Sequence, residues 1–132
     1  MKIYLDSSAI VKLIQRETES EALSNFVIQH SADEAVTSAL SRVEVVRAVF
    51  AGGTPAIEQA RRQLSRLDQI ALTPELLDRA ATLAPTGQLR SLDAIHIAAA
   101  QVVGTELRAI VTYDQRMAAA ATDLGIAVEA PT

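Results

Sequence analysis

Apolar positions in this chain change their period from one short stretch to the next. Lys2–Leu5 (KIYL) is a brief apolar run of the kind that forms a buried strand, and it stops on Asp6. Beyond that acid Ile10, Val11, Leu13 and Ile14 recur at helical spacing, so a helix is expected with Ser7 or Ser8 as its cap. Thr18–Gln29 repeats the helical pattern through Leu23, Phe26 and Val27, with its acids near the start, where the helix dipole favours them. Ala35–Ser38 reads as a strand. The run SALSRVEVVRAVFAGG then reads as a helix that Gly52 and Gly53 end, and Pro55 opens a further helix over IEQARRQLSRL.

The second half continues the alternation. Gln69–Thr73 (QIALT) is a strand signal, Pro74 starts a helix reaching about Leu83, and Pro85 and Gly87 mark a loop. Ser91 is expected to cap LDAIHIAAAQVVG, a strongly apolar helix that stops at Gly104. Arg108–Thr112 is strand, Gln115–Leu124 helix and Ile126–Val128 a last strand. About five strands alternating with seven helices is the signature of an α/β domain with a mostly parallel sheet. Without a boundary, an internal repeat or a low-complexity tract beyond alanine-rich helices, a single domain over residues 1–132 is expected.

Composition narrows the chemistry. A chain of 132 residues that is 49% hydrophobic can bury a real core without staples. The absence of cysteine excludes disulfides, thiolate metal sites and cysteine nucleophiles, and fits a cytoplasmic location. Neither a signal peptide nor a membrane span is expected. The first apolar run is broken by Asp6 and Lys12, and no stretch approaches the roughly 18 apolar residues a span needs. A net charge of -4 argues against a nonspecific nucleic-acid binder, unless several of the sixteen acids gather around cations and leave the remaining surface less acidic. Ten of the twelve basic residues are arginines, among them Arg42, Arg47, Arg61, Arg62 and Arg66, suited either to a solvated helix face or to phosphate contacts.

Four acids stand out by their settings. Asp6 and Asp114 each follow a strand, and in an open α/β sheet the carboxyl ends of the strands are where ligands bind. Asp93 lies in the first turn of an apolar helix, either as a dipole-stabilising acid or as a ligand aimed into a cleft. Glu44 is embedded among Val43, Val45 and Val46, and either pairs with Arg42 or Arg47 on the helix surface or serves a site. If these carboxylates converge, two of them about 4 Å apart repel by roughly 4 kcal/mol at an effective dielectric near 20. A hard divalent cation such as Mg²⁺ or Mn²⁺ removes that penalty and bridges carboxylates to phosphate oxygens. One or two such ions would favour hydrolysis of a phosphodiester.

Other chemistry has little support. There is no GxxxxGK[ST] and no GxGxxG, and the two histidines, His30 and His96, do not stand at zinc-ligand spacing. His96 lies three residues after Asp93 on the same helix face, where packing or hydrogen bonding is the expected role. Ser7 and Ser41 show no base partner along the sequence. Asp6 as a phosphoaspartate nucleophile lacks the acid two residues on that would serve as proton donor.

Four blocks carry a resemblance that spans essentially the whole chain: YLDSSAIVKL, SALSRVEVVRA, LRSLDAIHIAAA and IVTYDQRMAAAATDLGI. In this order they resemble a PIN-domain protein, specifically a VapC-type toxin of a bacterial toxin–antitoxin pair. The resemblance implies a three-layer α/β/α sandwich around a parallel sheet and a Mg²⁺ or Mn²⁺-dependent endoribonuclease. It places the family's acidic residues on Asp6, Glu44, Asp93 and Asp114, with Asp6, Asp93 and Asp114 on metal, and points to Ser7 and Thr112 as supporting hydroxyls. It also implies an RNA substrate, a homodimer and a small VapB-like antitoxin, for which Thr18–Gln29 and Pro55–Leu67 offer candidate surfaces. Two alternatives are a PIN nuclease of RNA processing or decay outside toxin–antitoxin biology, and a catalytically silent binding module of the same fold.

Overall fold

The computed structural model describes residues 1–83 and 88–132; the loop signals at Pro85 and Gly87 lie outside the described residues. Five strands form one sheet: β1 (Lys2–Leu5), β2 (Glu34–Ser38), β3 (Asp68–Ile70), β4 (Leu107–Val111) and β5 (Val128–Glu129). Their order is β3-β2-β1-β4-β5 and every pairing is parallel. The helices among the described residues are α1 (Ser7–Ile14), α2 (Ser20–Gln29), α3 (Ser41–Val49), α4 (Gly53–Ser65), α5 (Pro74–Ala81), α6 (Ser91–Val103) and α7 (Gln115–Asp123).

Alternation of side chains along the central strands divides the core into two layers. Ile3 and Leu5 face one way and pack with Ile10, Leu23, Val45, Val49 and Leu64 from α1 to α4. Tyr4 faces the other way and packs with Leu76, Ile97 and Met117 from α5 to α7. In β4 the neighbours Ile110 and Val111 divide in the same manner. Side chains such as Ile10, Leu23 and Ile97 are wholly buried, each contributing roughly 1.5–3 kcal/mol by leaving water. Helices on both faces of a parallel sheet make the α/β/α sandwich that the alternating pattern and the resemblance imply. α6 is lined on its buried face by Ala94, Ala98, Ala99 and Ala100, and these small side chains let it lie against β2 and β4.

Local chemistry moves several boundaries. The cap of α1 is Asp6, whose side chain accepts from the Ala9 N–H, while Ser7 is already helical. Arg90, with extended backbone, occupies the cap position of α6, so Ser91 is the first helical residue and not the cap. The long helix expected from Ser38 begins only at Ser41, because Ser38 is the last residue of β2. After α3 one turn of 3₁₀ helix, Phe50–Gly52, leads to Gly53 at φ 75°, a left-handed conformation suited to glycine that redirects the chain straight into α4. β3 stops at Ile70, and Thr73 leaves the sheet to cap α5 by accepting from the Leu76 N–H at 3.1 Å. β5 starts two residues later than the expected Ile126 and covers only Val128–Glu129.

Candidate active site

The strand order reverses between β1 and β4. The chain leaves β1 toward the layer of α1 and leaves β4 toward the layer of α7, so the two connections diverge and open a crevice at the carboxyl ends of these strands. Leu5 is in register with Val111, and the Asp6 N–H continues the ladder to the Val111 carbonyl at 3.2 Å. Asp6 and Asp114 therefore flank the switch point, each as the cap of the helix that follows its strand.

Both aspartates divide their oxygens in the same way. In Asp6, Oδ1 accepts from the Ala9 N–H at 2.9 Å and from Ser8 Oγ at 2.7 Å, and Oδ2 accepts from Thr112 Oγ1. In Asp114, Oδ1 accepts from the N–H groups of Arg116 and Met117 at 2.9 and 3.1 Å, and Oδ2 from Arg90 Nη2 at 2.9 Å. Each acid thus spends Oδ1 on its helix cap and turns Oδ2 to a neighbouring side chain. Thr112 ties the two together, donating its hydroxyl to Asp6 and accepting from the Asp114 N–H at 3.1 Å. Burial raises the Asp6 pKa above the ordinary carboxylate value, although Thr112, Ser8 and the Ala9 N–H all favour its charged form.

Glu44 enters from α3 on the other side of Asp6. Its Oε1 accepts from Ser7 Oγ at 2.7 Å and from His96 Nε2 at 2.6 Å, so it turns inward instead of pairing with Arg42 or Arg47. Burial works against its charge, but the bonds from His96 and Ser7 and the nearby positive charge outweigh burial and hold it below the usual glutamate range. His96, 2% exposed, is fixed from behind by Tyr4, whose hydroxyl lies 2.7 Å from Nδ1. Both ring nitrogens are thereby engaged, Nε2 donating to the Glu44 carboxylate and Nδ1 facing the Tyr4 hydroxyl. Ser7 lies 3.3 Å from that nitrogen and 3.2 Å from Ser41, which in turn meets Thr37.

Asp93, nearly buried on α6, accepts from Arg90 Nε at 3.0 Å, and the same guanidinium reaches Asp114. Three of the four acids singled out in the sequence are thus joined by hydrogen bonds, and Glu44 lies beside them in a second set of bonds. Asp6 meets Asp114 through Thr112, Asp114 meets Asp93 through Arg90, and Glu44 is held by Ser7, the chain neighbour of Asp6. Thr112 touches Asp6, whereas Ser7 supports Glu44. Among the described residues no three His, Asp or Glu side chains close on one point as a ready-made metal cage. The donor chemistry nevertheless suits a hard cation: the acids offer oxygen, and both nitrogens of His96 are engaged. The pattern along the chain offers Ser8 only as a cap and gives Tyr4 and Arg90 no place at this edge. Arg90 was accessible in principle, since it precedes Asp93 by three residues, the spacing of a helical ion pair.

The family model of the PIN domain matches residues 3–123, and the chain belongs to the PIN-domain family, in its VapC branch. Over 130 residues it is 48% identical to "Ribonuclease VapC46" of Mycobacterium tuberculosis, with 98% of each chain covered. It is 44% identical over 134 residues to "Ribonuclease VapC35" of the same species, covering 98% of this chain and 96% of the relative. Among solved structures, a chain of a toxin-antitoxin complex from Klebsiella pneumoniae matches with a TM-score of 0.74 over 98% of both chains at 18% identity, a likeness of fold.

Proposed function

We propose that this chain is a VapC-type endoribonuclease toxin that hydrolyses RNA phosphodiester bonds at the carboxyl edge of its sheet. The observation that carries the reading is the pair Asp6 and Asp114, joined through Thr112 at the one place where the strand order reverses. The 48% identity to a named ribonuclease across nearly the full chain supports the same reaction class.

Asp6, Asp93 and Asp114 are the residues that would hold Mg²⁺ or Mn²⁺, as one ion or two. The chemistry such an ion supplies is neutralisation of the carboxylates, polarisation of the phosphate and a lowered pKa for an attacking water. Thr112 and Ser8 keep Asp6 from rotating, which fixes the direction in which its buried charge is presented. Glu44, ionised at neutral pH, has both described hydrogen bonds on Oε1, and we assign its Oε2 to orient water for in-line attack on phosphorus. Tyr4, His96 and Ser7 hold that carboxylate in place. The same proposal includes action as a single domain over residues 1–132, a cytoplasmic location, a homodimer and a small VapB-like antitoxin.

The test is cleavage of a panel of structured RNAs by the purified, partner-free chain and by Asp6→Asn, with Mg²⁺, with Mn²⁺ and with EDTA. Metal-dependent cleavage that disappears in the variant is the expected result. Cleavage that persists in EDTA, or full activity of Asp6→Asn, would remove the metal and Asp6 from the reaction.

A further inference from the structure

Arg90 holds an unusual place at this edge. It lies just ahead of α6, and its one guanidinium spans two elements: Nε is 3.0 Å from Asp93 Oδ2 and Nη2 is 2.9 Å from Asp114 Oδ2. Asp114 has committed Oδ1 to the cap of α7, so Oδ2 is the oxygen it has left for a cation, and Arg90 takes it. The partners are shielded, with side chains 9% and 24% exposed, whereas the Arg90 side chain is 62% exposed. The acids are thus held by the fold, while their cation reaches in from solvent on a long, flexible stem. Two carboxylates drawn together without a positive charge would repel, and a monovalent guanidinium answers that need only until a divalent ion arrives.

We propose that Arg90 is a resident cation of the site, clamping Asp93 and Asp114 in the metal-free protein, and that it releases both carboxylates when a divalent ion binds. The inference rests on the metal-dependent reading above and adds to it that metal uptake and departure of Arg90 are one event. Competition of this kind is reciprocal: whatever free energy the clamp contributes to the metal-free state, the ion must exceed. Exposed ion pairs are weak individually, so the clamp can be displaced at ordinary ion concentrations and still shift the apparent affinity. A lysine at this position keeps the charge but loses the planar fork that reaches two carboxylates at once, so Arg90→Lys falls between wild type and a neutral variant.

The experiment is calorimetric titration of Mn²⁺, and separately of Mg²⁺, into the EDTA-stripped full chain, its Arg90→Gln and its Arg90→Lys variants, with Tm measured before and after loading. Arg90→Gln is expected to bind Mn²⁺ about tenfold more tightly than wild type and to gain more Tm on loading, with Arg90→Lys in between. In a ¹⁵N spectrum of the wild type, the Arg90 Nε–H resonance should move as Mg²⁺ saturates the site. If a folded Arg90→Gln binds the ion no more tightly than wild type, or if the resonance stays in place at saturation, the clamp is refuted while the metal-dependent nuclease stands. If neither wild type nor Arg90→Gln binds either ion, the metal reading falls and the clamp with it. Should Arg90→Gln not fold, Arg90→Lys decides the matter: it must bind Mn²⁺ more tightly than wild type.

Discussion

At the amino-terminal edge of the sheet Asp33 meets Arg108 and the chain's α-amino group, and Lys2 lies between Glu34 and Glu106. At the carboxyl edge Asp6 sits behind hydroxyls and a backbone N–H, and a single guanidinium serves both Asp93 and Asp114. Both Asp33 and Asp6 have side chains with little exposure, yet their acidities move in opposite directions. The hydrogen bond from Arg108 holds Asp33 down at about 2, whereas burial pushes Asp6 up. At one edge three acids, Asp33, Glu34 and Glu106, meet three cations, Arg108, the α-amino group and Lys2. At the other the fold gathers acids faster than it supplies cations, and that surplus is what a divalent ion or a catalytic role would use.

Removing the Asp6 charge should break the contrast most sharply. Asp6→Asn is expected to lose RNA cleavage by more than about a hundredfold, since even partners one shell out from a metal typically cost 10–100-fold. Circular dichroism should show the fold intact. Next in size is Thr112→Val, which removes the hydroxyl linking Asp6 to Asp114. About 1–3 kcal/mol of stability should be lost in urea denaturation, and cleavage should fall about 10–100-fold.

A pH series sharpens the comparison further. A folded pKa for Asp6 above its unfolded value means that proton binding favours the folded state. That contribution is present below the unfolded pKa and is lost as pH rises through the folded one. The metal-free wild type should therefore lose stability relative to Asp6→Asn across that interval, read as a widening Tm gap in favour of the variant. Asp33 carries the opposite sign. Its depressed pKa stabilises the fold above the unfolded value near about 4, and this is lost as pH falls toward about 2. Asp33→Asn should lower Tm slightly at neutral pH, should lose that deficit in acid, and should leave the cleavage rate unchanged, the smallest effect of the set.

Much of this molecule can be read along the chain. The apolar runs at Lys2–Leu5 and around Arg108–Val111 are strands because they are buried on both faces, and that burial is what suppresses alternation in the sequence. Glycine and proline placed several helix ends to within a few residues. Asp6, Glu44, Asp93 and Asp114 announced themselves as acids in apolar surroundings, and all four lie on one edge. The caps were less legible. Asp6 and the serines after it are all good capping residues, and which one serves depends on where the strand lets go of the chain.

What the sequence by itself determined is local: the periods of apolar residues, the turn chemistry and the acids stranded beside apolar runs, because each depends only on near neighbours. Partnership was decided by the tertiary structure. Tyr4 meets His96 across 92 positions, Ser7 meets Glu44 across 37, and Thr112 reaches Asp6 across 106. Such pairs exist only because β1 is inserted between β2 and β4, and strand order is a property of the packed sheet that no local pattern encodes. The same packing decides the sign of each acidity, since a carboxylate is raised or lowered by what the fold puts against it.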